Sequence, residues 1–284
     1  MVSAFFIVWR ESIEAMLVVG ILYAWLRQHE DGARGRRWLW GGVAAGVGLA
    51  LLLAAVMLGV LSRLNGAVLE YFEVAMMFVA AVLITQMVLW MRRHGRGLKR
   101  ELESSAARAA QGASWAGVLT LAALAVGREG AETVIFLYGL FLEQHGLALL
   151  GFTGAGMAGL VAAFATFWLI ERGSRWLSWR TFFRVSEIML LLLATALLVN
   201  GTEKLIGLGV LPALVDPLWG SAWLLDDGAP AGGLMAALTG YRAHPALLTV
   251  FVYLAYWTLV LWLRRPQPMP AAARPVNAEG GQSL

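Results

Sequence analysis

The sequence predicts an all-α polytopic membrane protein: two inverted three-helix repeats plus a seventh transmembrane helix, with the N-terminus outside and the C-terminus in the cytoplasm. Three observations predict it: an apolar composition, seven hydrophobic runs of bilayer length, and an alternation of basic loops. Of the 284 residues, 60% are hydrophobic and only 14% charged, against about 25% charged in soluble domains. Mean hydropathy is +0.70. Polar groups this scarce cannot cover the apolar surface in water, so lipid is the expected solvent. The lack of cysteine excludes disulfides, thiolate metal sites, iron–sulfur clusters and cysteine nucleophiles. The basic pI near 9.8 suggests nucleic acid, but the basic residues lie in short clusters between apolar runs, so no nucleic-acid partner is expected.

The spans are placed at Val2–Leu26, Trp38–Leu61, Val68–Met91, Trp115–Tyr138, Leu147–Ile170, Phe182–Asn200 and Pro245–Leu263. Each approaches the roughly 20 apolar residues that a helix needs to cross a bilayer. The first is not a cleavable signal peptide, because no basic segment precedes it and Arg10, Glu11 and Glu14 interrupt its apolar run. The first loop holds Arg27, Arg34, Arg36 and Arg37, whereas the second holds only Arg63. The third holds Arg92, Arg93, Arg96, Lys99, Arg100 and Arg108, and the fourth no Lys or Arg. The fifth holds Arg172, Arg175, Arg180 and Arg184, the sixth Lys204 and Arg242, and the tail three arginines. By the positive-inside rule the odd loops and the tail are cytoplasmic. Trp38, Trp40, Trp90, Trp115, Trp168 and Trp262 fall at the expected inner interface, as an aromatic belt would.

Three loop and tail segments have their own character. Arg92–Gly112 reads as a cytoplasmic amphipathic helix extending the third span, and Gly201–His244 as a long outer segment with room for a re-entrant or interfacial helix. Residues 1–265 form the transmembrane domain, with repeat one at about 1–91, repeat two at about 115–200 and the seventh helix at about 245–263. Residues 266–284, rich in Pro, Ala and Gly, read as a disordered cytoplasmic tail.

The informative residues are ionisable groups inside spans. Arg10-Glu11-Ser12-Ile13-Glu14 and Arg128-Glu129-Gly130-Ala131-Glu132 both read R-E-x-x-E, 118 residues apart, in the first and fourth spans. Each central charge costs about 2.5–3.5 kcal/mol to insert, so three cost roughly 7–10 kcal/mol per span. The pattern is too costly to recur by accident. Within each motif the glutamates are i,i+3 neighbours and the arginine is i,i+4 to the second glutamate, which puts them on one face. The two spans run in opposite directions, so the motifs reach similar depth, slightly outside the midplane. Four carboxylates and two guanidiniums can converge there. One Arg against two Glu leaves each motif at a formal −1, and unpaired charge in lipid calls for a proton or a cation. Carboxylate oxygens suit hard ions such as Mg, Ca, Mn and oxidised iron. The competing reading is a structural ion-pair network.

Glu73, in Tyr71-Phe72-Glu73 with Glu70 before it, opens the third span, and Glu187, in Val185-Ser186-Glu187, opens the sixth. The repeated motif and this second pair together suggest inverted repeats around a shared site, a recurrent transporter plan. Glu73 is then the approach carboxylate and Glu187 the release carboxylate, unless both merely sit at wet helix ends. Thr85, Gln86, Thr195 and Asn200 are read as helix-to-helix bonding groups ahead of path-lining ones. Gly42 with Gly46, and Gly151, Ala155 and Gly159, form four-residue small-residue rows, which are packing faces. His29, His94, His145 and His244 lie in loops or at span ends without ligand spacing, and the outer acids Glu203, Asp216, Asp226 and Asp227 read either as a solvated loop or as a cation-gathering one. The eleven methionines form no paired M-x-x-M row at an outer face, so no soft-metal relay is expected. No HExxH, protease pattern or paired haem histidines occur in the spans, so no enzymatic activity is expected.

The paired motifs, RESIEA at Arg10–Ala15 and GREGAET at Gly127–Thr133, with Phe-Glu opening the third of seven spans, resemble the oxidase-dependent iron permease family over Met1–Arg265. The family includes the membrane component of a bacterial three-part iron uptake system. The resemblance implies that Glu11, Glu14, Glu129 and Glu132 handle iron, with Arg10 and Arg128 supporting them; Glu73, as the approach carboxylate, is counted with them as a metal ligand. It implies high-affinity iron transport across the bacterial inner membrane, with iron as substrate and no cofactor. It also implies an extracytoplasmic ferroxidase or peroxidase and a capture protein as separate partners, since no N-terminal periplasmic domain precedes the first span. The fungal outer-loop capture pattern is not recognisable. A trivalent ion would offset the formal −2 of the four motif glutamates and two arginines, or −3 with Glu73. Another cation such as Mn or Pb, a non-transporting subunit with a structural charge network, and homo-oligomer assembly stay open.

Overall fold

The computed structural model describes residues 2–28, 32–94, 104, 115–141, 147–172 and 179–264. Apart from residue 104, the expected cytoplasmic helix beyond residue 94 lies outside these residues, as do the tail after Arg265, His29 and His145. The regular elements among the described residues are all helices, with no strand among those residues. In chain order the helices are α1 (Val2–Arg27), α2 (Gly32–Leu61), α3 (Ala67–His94), α4 (Ala116–Phe141), α5 (Leu147–Glu171), α6 (Trp179–Gly207), α7 (Pro230–Thr239) and α8 (Leu247–Leu263).

Each expected span falls on one helix. By length and composition, α2, α3, α5 and α6 are able to cross a membrane, and α8 is a shorter apolar helix of 17 residues. Helices α1 and α4, at 26 residues each, are as long, but each carries an arginine and two glutamates in its middle third. The outward faces of α2 and α5, including Leu51, Leu52, Val56, Val161 and Phe164, are exposed apolar surface, as lipid-facing helices require.

Helix α6 overruns its expected end at Asn200 by seven residues, reaching Gly207. Glu203 and Lys204, read as loop residues, are helical because each finds a partner across the bundle. Glu203 Oε2 accepts from Arg242 Nε at 2.6 Å, and Lys204 pairs with Glu73. Partnered charges can be carried within a helix that bare ones would end.

Packing partners cross between the two halves of the chain: α2 lies along α4, α1 along α5, and α3 along α6, with α1 also meeting α4. Glycines make the first two seams. A Cβ on Gly42 would stand 2.4 Å from the Leu119 carbonyl, and one on Gly46 would stand 2.8 Å from the Gly127 nitrogen. A Cβ on Gly159 would stand 2.5 Å from the Phe5 carbonyl. Such close backbone approach is how helices associate in lipid, where burial against tails contributes nothing. Contacts rise together along α2 and α4 (Gly35 at Trp115, Gly46 at Gly127, Ala50 at Gly130) and along α1 and α5 (Phe5 at Gly159, Gly20 at Phe167), so those pairs are parallel. The third pair, α3 and α6, is antiparallel, with Glu73 at Lys204 and Arg92 at Glu187.

The main core joins α3, α6 and α8 through Met77, Ile84, Leu191, Leu197 and Val260, with Ile7 and Phe136 entering from α1 and α4. The segment between α6 and α8 contains α7, which packs on α6 and α1, and Ser3 Oγ donates to the Ala237 carbonyl. Gly240 ends α7 at φ 73°, and a Cβ there would stand 3.1 Å from Ala196 Cα, so both conformation and proximity demand glycine.

Candidate metal centre

The two costly motifs meet where α1 crosses α4. Glu11 and Glu14 from α1 and Glu129 from α4 each turn a carboxylate oxygen inward, all within 4.8 Å of one another, and all three residues are buried. They are the only such trio of metal-ligating residues among the described ones. The i,i+3 spacing puts both glutamates of a motif on one face, and the crossing aims the two faces at each other. Glu11 Oε2, Glu129 Oε2 and Glu132 Oε2 are buried with no hydrogen-bond partner. Orphaned anionic oxygens are costly in a low-dielectric interior, which is the electrostatic condition of a cation site.

The motif arginines behave differently. Arg10 is 2% exposed and pairs with Glu11 Oε1 at 2.8 Å and Glu14 Oε1 at 2.5 Å. The same two nitrogens also donate to methionine sulfurs, Nη1 to Met87 Sδ at 2.9 Å and Nη2 to Met91 Sδ at 3.5 Å. Arg128 is half-exposed, holds Glu132 Oε1 at 2.8 Å, and lies 5.0 Å from the Trp90 ring centre, within cation–π range. So Glu132 is held with its own motif's arginine, while Glu11, Glu14 and Glu129 gather around Arg10. A cavity of about 140 Å³ opens beside them, walled by Glu14 and Glu129, by Met87, Trp90 and Met91 of α3, and by Phe183 of α6. Four glutamates and two arginines sum to a formal −2.

Glu73 is not part of this cluster. It pairs with Lys204, and 14 residues of α3, about 21 Å of helix rise, separate it from Met87. Glu187 lies closer. It pairs with Arg264 Nη2 at 2.8 Å and with Arg92 Nη1 at 3.5 Å, and the adjacent Ser186 shares a cleft with Arg10. Of the polar residues read as bonding groups, Thr85 Oγ1 meets Tyr256 Oη at 2.9 Å, Thr195 Oγ1 donates to the Leu191 carbonyl, and Asn200 Oδ1 accepts from Arg242. Gln86 is exposed. The outer acids have local work: Asp226 Oδ1 accepts from Gly228 N, and Asp227 Oδ2 from Ala243 N.

Sequence reasoning passed over Lys204, Arg92 and Arg264 as partners, counting them only as loop and tail charges. It also passed over Met87 and Met91. Their spacing of four was legible, because it puts both on one face of the third span.

A sequence profile of the iron permease FTR1 family matches residues 1–265. The chain belongs to that family. Among its relatives is a protein named ferrous iron permease EfeU from Yersinia pestis, 27% identical over 96% of this chain and 98% of its own length. A protein of the same name from Escherichia coli (strain 536) is 28% identical over 96% of this chain and 99% of its own. Another from Shigella sonnei is 28% identical over 95% and 98%. No solved structure matches this permease-family chain.

Proposed function

We propose that the protein carries ferrous iron across the bacterial inner membrane into the cytoplasm, through a centre built by Glu11, Glu14, Glu129 and Glu132. The observation that carries this reading is the convergence of three buried glutamates from two helices around one arginine. Relatives named ferrous iron permeases over nearly their whole length support iron as the substrate and Fe(II) as its form. The formal −2 of the two motifs matches a divalent ion without further charge.

In this reading all seven long helices span the bilayer, N-terminus outside, as two inverted repeats α1–α3 and α4–α6 followed by α8. The packing supports it. Exchanging α1 with α4, α2 with α5 and α3 with α6 maps each principal helix pair onto another pair or onto itself. Parallel α1/α5 and α2/α4 with antiparallel α3/α6 are the senses that strict alternation of seven spans demands. Iron approaches past Glu73, is ligated between the motifs, and leaves past Glu187. Arg10 and Arg128 keep the carboxylates together between passages. A separate extracytoplasmic capture protein would deliver the metal; the oxidase that the family resemblance also implies would yield Fe(III), so ferrous carriage does not draw on it.

The test is radiolabelled iron flux into proteoliposomes, wild type beside Glu129→Gln, with ferrous and ferric iron offered separately. We expect ferrous flux in the wild type and none in the variant, with both proteins equally folded. A variant that carries iron at the wild-type rate would sink the assignment.

A further inference from the structure

Two thioether sulfurs stand where carboxylates alone were expected. Met87 and Met91 are one turn apart on α3, so both leave the same face of that helix. Each terminal nitrogen of Arg10 is shared between an oxygen and a sulfur, Nη1 between Glu11 Oε1 and Met87 Sδ and Nη2 between Glu14 Oε1 and Met91 Sδ. A thioether is a weak acceptor, and a buried guanidinium gains far more from charged oxygen. Holding Arg10 is therefore a poor reason to place two sulfurs there. Their other surroundings suggest a better one. Met87 and Met91 wall the same 140 Å³ cavity as Glu14 and Glu129, with Arg128 also in the wall, so oxygen and sulfur donors share one lining.

We propose that Met87 and Met91 are thioether ligands of the carried ion, completing with Glu14 and Glu129 a mixed oxygen–sulfur site selective for a softer divalent metal. This rests on the iron-transport reading above and narrows it. Carboxylates alone serve Mg, Ca and Mn as well as iron, whereas sulfur donors add affinity for softer ions and little for the hard ones. Ferrous iron is softer than ferric iron, Mg or Ca. Two carboxylates and two neutral sulfurs together bring −2, which a divalent ion neutralises. Arg10 then acts as a tethered cation that gathers Glu14 with the two methionines, and its withdrawal toward Glu11 frees them for the metal.

The experiment compares wild type, Met87→Leu, Met91→Leu and the double variant, with Glu129→Gln as the reference for lost transport. Leucine conserves volume, and the single variants guard against a double variant that does not fold. Ferrous flux is competed by Cd(II) and by Mn(II), which share a charge and differ in softness. Separately, X-ray absorption at the iron edge of anaerobically loaded protein reads whether sulfur lies in the metal's first shell. We expect a sulfur shell in the wild type that the double variant lacks. We also expect a rise of about ten-fold or more in the apparent KM for ferrous iron, and loss of Cd(II) competition with Mn(II) competition unchanged. An iron shell of oxygen and nitrogen alone in the wild type overturns the proposal. So does a double variant with unaltered KM and Cd(II) sensitivity. Should the wild type carry no iron, the transport reading fails, and the absorption spectrum still decides whether the thioethers bind it.

Discussion

Lys204, near the C-terminal end of α6, is ion-paired with Glu73, near the N-terminal end of α3. The opposite ends of the same two helices are joined by Glu187 of α6 with Arg92 of α3. Each helix thus offers a carboxylate at its start and a cation at its end, and the antiparallel pair is tied at both ends. In the transport reading, an ion reaching Glu73 must displace an ammonium already there.

That displacement makes Lys204 a determinant of access. Lys204→Gln leaves the Glu73 charge without its partner, so we expect a several-fold lower apparent KM for iron and stronger competition by Ca(II). Stability should fall by no more than about 1 kcal/mol, because the pair is partly exposed. Flux with Ca(II) as competitor checks the first point, and thermal unfolding in detergent the second. Unchanged competition would mean that the pair only fastens α3 to α6.

The motif arginines should differ in structural weight. Arg10→Gln strands Glu11 and Glu14 in a buried site and is expected to cost about 3–5 kcal/mol. Arg128→Gln removes a half-exposed partner of Glu132 and should cost under about 1 kcal/mol. Parallel thermal-shift curves read both. Equal losses would contradict the asymmetry.

Glu187 has two cationic partners, Arg264 and Arg92. Each should substitute for the other, so Arg92→Gln and Arg264→Gln alone should keep most of the transport rate. The double variant should slow it several-fold, with release of iron on the cytoplasmic side as the affected step. Single-turnover efflux from preloaded protein measures this directly.

The glycine seams yield a contrast within one helix. Gly46→Ala places a methyl 2.8 Å from the Gly127 nitrogen and 2.9 Å from the Ala123 carbonyl, both backbone atoms. It should destabilise by about 1–3 kcal/mol and depress transport, since α4 carries its motif beside Gly127. Gly48→Ala, with nothing within 4 Å of the added methyl, should be neutral or slightly stabilising. Unfolding midpoints of the two variants decide it.

How much of this was legible follows from what each feature depends on. The helices were readable because apolar runs of bilayer length have few alternatives, and the meeting of the motif glutamates because spans of opposite direction bring both motifs to similar depth. Gly42 and Gly46 announced a packing face, though not that α4 would fill it. The pairings of Glu73 with Lys204 and Glu187 with Arg264 join residues 131 and 77 positions apart, and no local pattern fixes such partners. Two identical motifs likewise concealed that Arg10 is buried and Arg128 half-exposed. That difference comes from the surrounding helices: α3 lays Met87 and Met91 against the first arginine and Trp90 against the second.

The seams at Gly46 and Gly159 have a consequence for motion. Each fastens a motif-bearing helix to a helix from the opposite half of the chain: α4 to α2, just before Arg128, and α1 to α5, just before Arg10. The halves are laced through each other like clasped hands. A rigid-body motion that spares both laces would carry α2 with α4 and α1 with α5, and those two pairs meet where α1 crosses α4, at the glutamates.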